Sequence, residues 1–298
     1  MAETQAPLKT YRGNCHCKAY VYEITLPEIK QAVECNCSIC YKKAAIWVFP
    51  SPSNVKFVKG DRSTLSSYTF NQRKYAYSFC PTCGVSLMVT GHLKEPQPGE
   101  VKEPDSGFNV RTLQYGQLDI RGINFKAVDG KAYPPLYEEP KFTGPQPARE
   151  VEGGQLYSGS CHCGAVTVGL KSKPFNKDFR GLKECNCSIC GKYGAVWTYP
   201  HSAQVVIEGR ENLRQYAFNE KIGTKLFCKT CGIPIGSDLA QFTDEKLAQM
   251  NPGFADWFRE NRNQMPLNLR IFNGLDLKDL VPQQIDGYNQ IQPAYVEP

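Results

Sequence analysis

Two stretches of the chain decide its organisation: ECNCSICYKKAAIWVFP at residues 34–50 and ECNCSICGKYGAVWTYP at residues 184–200. Each contains a C-x-C-x-x-C triplet followed by an apolar run. The stretches around them match in pairs: RGNCHCKAYVYEI (12–24) with SGSCHCGAVTVGL (158–170), FCPTCGVSL (79–87) with FCKTCGIPI (227–235), and NVRTLQYGQLD (109–119) with NLRIFNGLD (268–276). Because the order is the same in both copies, the chain is a tandem duplication.

The length of 298 residues suits two domains of ordinary size. A Pro/Gly-rich stretch at 133–154 separates the copies and is typical of an extended connector with few crossing contacts. We place the boundary near residue 148, which predicts domains at 1–147 and 148–298.

Most segments outside the connector predict short strands, because β-branched and apolar residues come in runs of five or six between turns. The predicted strands are Ala19–Thr25, Ala44–Phe49 and Asn54–Lys59 in the first copy, and Ala165–Leu170, Ala195–Tyr199 and Gln204–Glu208 in the second. Residues 91–107 predict a polar loop, and 244–261 predict short helical turns broken at Asn251-Pro252-Gly253. The fold class is therefore mainly β, with small cores that depend on bound metal.

The composition is that of an ordinary globular protein, with 41% hydrophobic and 21% charged residues. The formal charge of +6 is spread without a run of five Lys or Arg residues, which gives no indication of nucleic-acid binding. The opening MAETQAPLKTYRG has no signal-peptide core, and nothing approaches the ~18 consecutive apolar residues of a membrane span. We therefore expect a cytoplasmic protein without a membrane partner.

The 14 cysteines are predicted to bind metal, because closely spaced pairs in a reducing compartment indicate metal sites rather than disulfides. Each copy has a C-x-C, a C-x-C-x-x-C and a C-x-x-C. The predicted ligands are Cys15, Cys17, Cys35, Cys37, Cys40, Cys80 and Cys83 in the first copy, and Cys161, Cys163, Cys185, Cys187, Cys190, Cys228 and Cys231 in the second. Thiolates favour zinc, which takes four ligands at ~2.3 Å in a structural site.

Seven cysteines per copy are three more than one tetrahedral zinc needs. The triplet can reach one ion alone, and the two outer pairs can join as a four-cysteine site. Three protein ligands and an open fourth position are typical of catalytic zinc. The residues predicted to be catalytic are Cys35, Cys37, Cys40, Cys185, Cys187 and Cys190.

Two alternatives remain open on spacing. The first joins the C-x-x-C of the triplet with that of Cys80–Cys83, which leaves Cys15, Cys17 and Cys35 without a common ion. The second makes both ions structural, with water or a histidine as the fourth ligand of the triplet. The candidate histidines are His16, His92, His162 and His201. A redox C-x-x-C is disfavoured because the thioredoxin-like βαβ context is absent.

These residues resemble the glutathione-dependent formaldehyde-activating enzyme family, also called the CENP-V/GFA family. Its pattern is G-x-C-x-C-G, C-x-C-S-x-C-x-K-x-x-G-A, F-C-x-x-C-G and N-x-R. The second copy matches at Gly159–Gly164, Cys185–Ala195, Phe227–Gly232 and Asn268–Arg270, and the first at Gly13–Cys17, Cys35–Cys40, Phe79–Gly84 and Asn109–Arg111. Together the two copies cover nearly the whole chain.

The resemblance implies two tandem β-tent (Mss4-like) domains, each with a structural zinc on the outer pairs and a labile zinc on the triplet. Family members are described as S-(hydroxymethyl)glutathione synthases, which are carbon–sulfur lyases, and others act as binding or chromosome-associated modules. The first copy departs from the pattern, with Lys18 for a glycine and Tyr41–Ala44 for the second copy's Gly191–Gly194. The second copy is therefore the better candidate for activity.

The sequence hypothesis is a carbon–sulfur lyase acting on glutathione adducts of small carbonyl compounds, with glutathione as co-substrate. Its rivals are a non-catalytic glutathione or thiol carrier and a zinc-stabilised interaction module. Lys192, with Lys42 or Lys43, is a candidate contact for an anionic substrate, and Arg111 and Arg270 for a glutathione carboxylate; an exposed lysine and a structural ion pair are the alternatives. Trp47 and Trp197 are predicted to pack in the core, and Asn36 and Asn186 to give hydrogen bonds around the ligands. The oligomeric state is not predicted.

Overall fold

The computed structural model describes residues 6–91, 106–219 and 222–298. Each copy forms a module of one three-stranded and one seven-stranded sheet. Module 1 contains strands β1–β10 and module 2 contains β11–β20. The mainly β class and the two tandem domains are thus confirmed. The exact boundary near residue 148 stays a prediction.

In module 1 the strands are β1 (Leu8–Asn14), β2 (Val21–Pro27), β3 (Gln31–Cys35), β4 (Ile46–Val48), β5 (Val55–Lys59), β6 (Ser66–Tyr68), β7 (Tyr75–Phe79), β8 (Ser86–Gly91), β9 (Ser106–Asn109) and β10 (Asn124–Val128). The small sheet has the order β1-β2-β5, and the large one β10-β3-β4-β9-β8-β7-β6. Neighbouring strands are antiparallel except β10 and β3, which run parallel.

In module 2 the strands are β11 (Gln155–Ser160), β12 (Thr167–Ser172), β13 (Lys183–Cys185), β14 (Val196–Thr198), β15 (Val205–Glu208), β16 (Leu213–Ala217), β17 (Gly223–Cys228), β18 (Pro234–Leu239), β19 (Leu267–Asn268) and β20 (Gln283–Ile285). Their orders, β11-β12-β15 and β16-β17-β18-β19-β14-β13-β20, repeat those of module 1 strand for strand. The duplication in sequence is therefore a duplication of topology.

The helices are short: α1 (Ser38–Lys43), α2 (Ser188–Tyr193), α3 (Asp244–Ala248), α4 (Pro252–Asn261) and α5 (Gly287–Gln290). The helical turns predicted over 244–261 are confirmed, and Asn251 caps α4 by accepting a hydrogen bond from the Phe254 N–H. Helices α1 and α2, directly after the C-x-C of each triplet, were not predicted. They are single turns ended by left-handed residues, Ala44 (φ 48°) and Gly194 (φ 57°), so they carry no helical periodicity in the sequence.

The predicted strands are confirmed, and each predicted end lies within two residues of the observed one. Apolar side chains from both modules form two shared cores, so each module completes the core of the other. The predicted loop at 91–107 lies largely outside the described residues, since 92–105 are not described. In the described part of the chain, no helix is long and apolar enough to cross a membrane.

The modules pack face to face through reciprocal contacts. Gly84 follows the C-x-x-C of module 1 with φ +71°, and a Cβ on it would lie 2.6 Å from the Phe227 ring. Gly232 has the same position in module 2, with φ +70° and 2.6 Å to the Phe79 ring. The glycines thus serve both the tight turn and the close approach of the partner module.

Two tail segments cross from one module to the other. Residues 133–140 (YPPLYEEP) follow module 1 and lie on module 2, where Tyr137 Oη donates a hydrogen bond to the His162 carbonyl at 2.6 Å. Residues 291–298 (IQPAYVEP) follow module 2 and lie on module 1, where Tyr295 Oη donates to the His16 carbonyl at 2.8 Å. The expectation of a connector with few crossing contacts was therefore wrong.

Candidate functional site

Four cysteines of each module come together as a four-cysteine cluster. The clusters are Cys15, Cys17, Cys80 and Cys83 in module 1, and Cys161, Cys163, Cys228 and Cys231 in module 2, with all sulfurs of a cluster within 4.8 Å of one another. One pair follows a strand of the small sheet, and the other lies at the end of β7 or β17 in the large sheet. The structure therefore joins the two outer pairs of each module and keeps the triplet separate, and it does not join the C-x-x-C of the triplet with that of Cys80–Cys83.

The four-cysteine clusters fit a tetrahedral zinc ion. The Sγ atoms of Cys15 and Cys17 lie 3.5 Å apart, as do those of Cys17 and Cys80. Two sulfurs on one zinc at ~2.3 Å are about 3.8 Å apart. Cys15, Cys80 and Cys83 are buried, and the Tyr20 N–H donates to Cys15 Sγ. That these residues bind zinc stays a prediction, and the donor set suits that ion.

The triplets form separate groups whose three sulfurs also lie within 4.8 Å of one another. In module 1, Cys35 ends β3, Cys37 precedes α1, and Cys40 lies inside α1. Cys40 is buried, whereas Cys35 and Cys37 are half-buried. Within residues 6–91, 106–219 and 222–298, no further Cys, His, Asp or Glu side chain completes either triplet. A metal bound here would keep a position for a ligand from solution.

An Asp-Gly turn covers each triplet, and sequence reasoning missed it. A Cβ on Gly130 would lie 2.5 Å from the Cys35 Sγ, and one on Gly287 would lie 2.5 Å from the Cys185 Sγ. Only glycine can stand so close to the sulfur. The sequence signal for this turn is an Asp-Gly dipeptide that occurs after the N-x-R segment of each copy, at Asp129-Gly130 and at Asp286-Gly287.

The asparagines between the triplet cysteines hold these turns in place. Asn36 Nδ2 donates to Asp129 Oδ1 at 2.8 Å, and its Oδ1 accepts from the Lys131 N–H at 3.0 Å. Asn186 makes the same bond to Asp286 at 2.8 Å and accepts from the Tyr288 N–H at 2.9 Å. The predicted role of hydrogen bonding around the ligands is consistent with this geometry.

Aromatic residues of the large sheet flank the triplet of module 1. Trp47 is buried and its Nε1 donates to the Cys40 Sγ at 3.3 Å. Tyr77 is also buried, and its burial, followed by the charges of the triplet thiolates, raises the pKa of its hydroxyl. The hydroxyl therefore stays protonated beside the cysteines. Trp47 thus packs in the core as predicted and touches the triplet as well.

Module 2 has a tryptophan in the same place but lysines around it. Trp197 lies beside Cys190. The Lys225 Nζ lies 4.3 Å from the Trp197 ring centroid, and the Lys183 Nζ lies 4.9 Å from that of Tyr199. Hydrogen bonds from the other two thiols hold the pKa of Cys190 well below its usual value, and the Lys225 charge lowers it further.

The histidines inside the C-x-C pairs point away from their own clusters and into the other module. His16 Nε2 lies 2.9 Å from the Ser188 Oγ, and its Nδ1 lies 2.7 Å from the Tyr216 Oη. His162 Nε2 lies 2.9 Å from the Ser38 Oγ in the reciprocal contact. Burial, then the charge of Lys192, lowers the pKa of His16 to about 4. These rings link one module's four-cysteine cluster to the helix of the other module's triplet.

The lysines of α1 and α2 lie between the modules. Lys192 is only 5% exposed, and its Nζ donates to the Thr112 carbonyl at 3.3 Å. Lys42 donates to the Ile271 carbonyl at 3.0 Å. The Lys43 ammonium is buried without a hydrogen-bond partner in the described residues, and its neighbouring charges include Cys231 and Cys228. Contact with a substrate stays a prediction; each lysine faces the opposite module's four-cysteine cluster.

Arg111 and Arg270 also lie at this interface. The Arg111 Nε donates to the Ala44 carbonyl at 2.7 Å, and the Arg270 Nε donates to the Gly194 carbonyl at 2.8 Å. These carbonyls belong to the residues that end α1 and α2, where unpaired acceptors need donors. The predicted carboxylate clamp stays a prediction. Both arginines make a helix-capping contact, and neither forms an ion pair with a carboxylate of the described residues.

Comparison with known proteins gives a family for both modules. The family model described as "Glutathione-dependent formaldehyde-activating enzyme" matches residues 10–102 and 156–273. Among solved structures, the chain is similar to a Rhodobacter sphaeroides protein from a structural genomics programme, at 26% identity and a TM-score of 0.31. That match covers 41% of this chain and 93% of the other.

Proposed function

Since the chain belongs to the glutathione-dependent formaldehyde-activating enzyme family, we propose that it is a zinc-dependent carbon–sulfur lyase. Its substrates are glutathione adducts of formaldehyde or of another small carbonyl compound. The observation that carries the proposal is the triplet: three cysteine sulfurs lie within 4.8 Å of one another, two of the three residues are half-buried, and no fourth side-chain ligand is present in the described residues.

The reaction is an addition and its reverse. The thiol sulfur adds to the carbonyl carbon, the carbon–sulfur bond forms, and the thiol proton ends on the former carbonyl oxygen; no electrons are exchanged with a cofactor. Zinc held by the three thiolates would supply a Lewis-acidic position that binds the substrate thiol as its thiolate.

The residues around the triplet serve this reaction by position. Asn186 fixes the Asp286-Gly287 turn over the sulfurs, and Gly287 leaves room because it has no side chain. Trp197 and Tyr199 form an apolar wall that excludes water on one side. The Lys225 ammonium offsets part of the net negative charge of three thiolates around a divalent ion. This favours module 2 as an active module.

The test is the rate at which formaldehyde and glutathione equilibrate, measured by exchange spectroscopy with ¹³C-formaldehyde and zinc-loaded protein. We expect acceleration above the buffer rate, with loss of most of it in Cys187→Ala and less in Cys37→Ala. Cys187→Ala should keep the zinc of the four-cysteine clusters and the fold, which zinc analysis and circular dichroism will check.

Other outcomes assign the protein to a rival class. Saturable glutathione binding without acceleration would make it a thiol carrier. No glutathione binding, with unchanged behaviour of both triplet variants, would leave a zinc-stabilised interaction module. Either result overturns the lyase proposal.

A further inference from the structure

The residues on one face of the large sheet differ between the modules where they surround the triplets. The strand registers are equivalent: Val33 on β3 pairs with Trp47, and Lys183 on β13 pairs with Trp197. On the neighbouring hairpin, Tyr77 and Lys225 each lie two residues before the matched phenylalanine of F-C-x-x-C. A valine and a tyrosine in module 1 thus correspond to two lysines in module 2.

Both lysines of module 2 lie over aromatic rings beside the triplet. Trp197 and Tyr199 are two residues apart, so their rings share one face of the sheet. The Lys225 ammonium lies over the first ring and the Lys183 ammonium over the second. Tyr199 lies close enough to all three triplet cysteines for their charges to raise the pKa of its hydroxyl, after burial, and the Lys225 charge lowers the pKa of Cys190. The aromatic pair and the two cations therefore lie together beside the triplet.

The charges of these lysines are available to a ligand. Neither ammonium makes an ion pair with a carboxylate of the described residues, and both side chains are half-buried. The adjacent Glu184 points to the other face of its strand, where it accepts a hydrogen bond from Gln284. Two partly desolvated cations beside a metal-binding triplet are the recognition chemistry of a carboxylate.

The same positions in module 1 carry no charge. Val33 and Trp47 line a groove of about 380 Å³ together with Phe49, whose ring is 51% exposed. The charged residues that line the groove are Glu28 and Lys30, which pair with each other at 3.4 Å. Lys131 follows the Asp-Gly turn of this module, and its ammonium lies 5.8 Å from the Tyr41 ring centroid. The side chains that flank the triplet are the buried Trp47, which donates to the Cys40 Sγ, and the buried, protonated Tyr77. This surface suits a neutral, apolar group.

We propose that the two triplet sites select ligands of different charge: module 2 takes an anionic, carboxylate-bearing thiol through Lys183 and Lys225, and module 1 takes a neutral thiol or carbonyl compound with an apolar group. This rests on the proposed function in that both triplets bind thiols. It assigns specificity within the chain to side chains outside the cysteine motifs.

The test compares two thiols that differ in one charge, N-acetylcysteine and N-acetylcysteine amide, binding to zinc-loaded full-length protein by calorimetry. Cys37→Ala leaves only the module 2 triplet, and Cys187→Ala leaves only that of module 1. We expect the first variant to bind the anionic thiol about tenfold more tightly than the amide, and the second to show no such preference. The preference should fall in 1 M NaCl.

Adding Lys183→Gln and Lys225→Gln to Cys37→Ala should bring the two affinities within about twofold while zinc content is unchanged. The exposed Lys177→Gln is the matched control and should change neither affinity. Val33→Lys with Tyr77→Lys in the Cys187→Ala background should create the anionic preference in module 1.

Equal preference in the two modules, or a preference that survives loss of both lysines, overturns the inference even if the lyase assay succeeds. A charge preference without acceleration of the formaldehyde reaction would support it and remove only the lyase proposal. If neither thiol binds to either variant, both the charge preference and the lyase proposal are overturned.

Discussion

The two modules share a scaffold and differ around the triplets. Strand order, the Asp-Gly turns, the crossing tails and the reciprocal histidine contacts are the same in both. Lysines replace Val33 and Tyr77 of module 1 at the triplet face of module 2, while Lys43 of module 1 corresponds to Tyr193. The shared contacts hold the modules together. The Val33/Lys183 and Tyr77/Lys225 differences lie beside the triplets, whereas the Lys43/Tyr193 difference lies between the modules.

The largest effect is expected from a cysteine of a four-cysteine cluster. Zinc in structural sites contributes about 10–16 kcal/mol, which is as large as the whole ~5–15 kcal/mol stability of a typical domain. Cys83→Ser and Cys231→Ser should each abolish the folded state of both modules, because each cluster lies against the other module. Calorimetry and zinc content will check this, with Cys37→Ser as the folded control. The prediction would be contradicted by a variant in which the module without the substitution keeps the thermal unfolding transition of the unmodified protein.

The crossing tails should stabilise the two modules equally. Tyr295→Ala and Tyr137→Ala each remove a ring stacked on a histidine and a hydrogen bond to a histidine carbonyl, and Tyr295→Ala also removes the bond that Asn14 Nδ2 donates to Tyr295 Oη. We expect each substitution to lower the free energy of unfolding by about 2–3 kcal/mol. Urea unfolding measures it. The control is Tyr133→Ala in residues 133–140, where the side chain is 70% exposed. This substitution should change the free energy of unfolding by about 0.5 kcal/mol or less. A large effect at only one tail would show that the contacts are not equivalent.

The glycines after the C-x-x-C pairs should be more sensitive than an ordinary left-handed glycine. Gly84→Ala and Gly232→Ala add a backbone penalty of about 1 kcal/mol and a clash with a ring of the other module, about 2 kcal/mol in all. Gly116→Ala has a similar φ of +81° with nothing within 4 Å and should cost about 1 kcal/mol. Thermal unfolding measures the unfolding temperature of the three variants. Equal decreases in all three would show that the rings of the other module do not contribute.

The smallest effect is expected at Lys43. Burial lowers the pKa of this lysine to about 8, and thiolates of the opposite cluster oppose the shift. Zinc bound by four thiolates has a net charge of −2, so Lys43→Met should speed zinc release from the module 2 cluster about two- to fivefold. Release to a chromophoric chelator, with mass spectrometry of alkylated cysteines, identifies the cluster. The exposed Lys59→Met should have no effect, and faster release from module 1 alone would contradict the assignment.

The sequence predicted what depends on local patterns. Alternation and turn residues located the strands, and cysteine spacing grouped the outer pairs apart from the triplets. It missed contacts between residues far apart in the chain. Lys225 approaches Cys190 only because β17 and β14 belong to one sheet, and Lys192 is buried only because the modules pack together. A lysine two residues past a cysteine looks the same in sequence whether it faces solvent or another module.

The crossing tails determine the order in which the two modules can complete their folding during translation. His16 emerges from the ribosome early, but Tyr295, which covers it, lies 279 residues later. The segment that covers module 2, residues 133–140, is already made when the strands of module 2 are translated. The segment that covers module 1, residues 291–298, is made only after module 2 has been translated. During translation, module 1 therefore exposes the His16 surface until residues 291–298 have been made and can bury it.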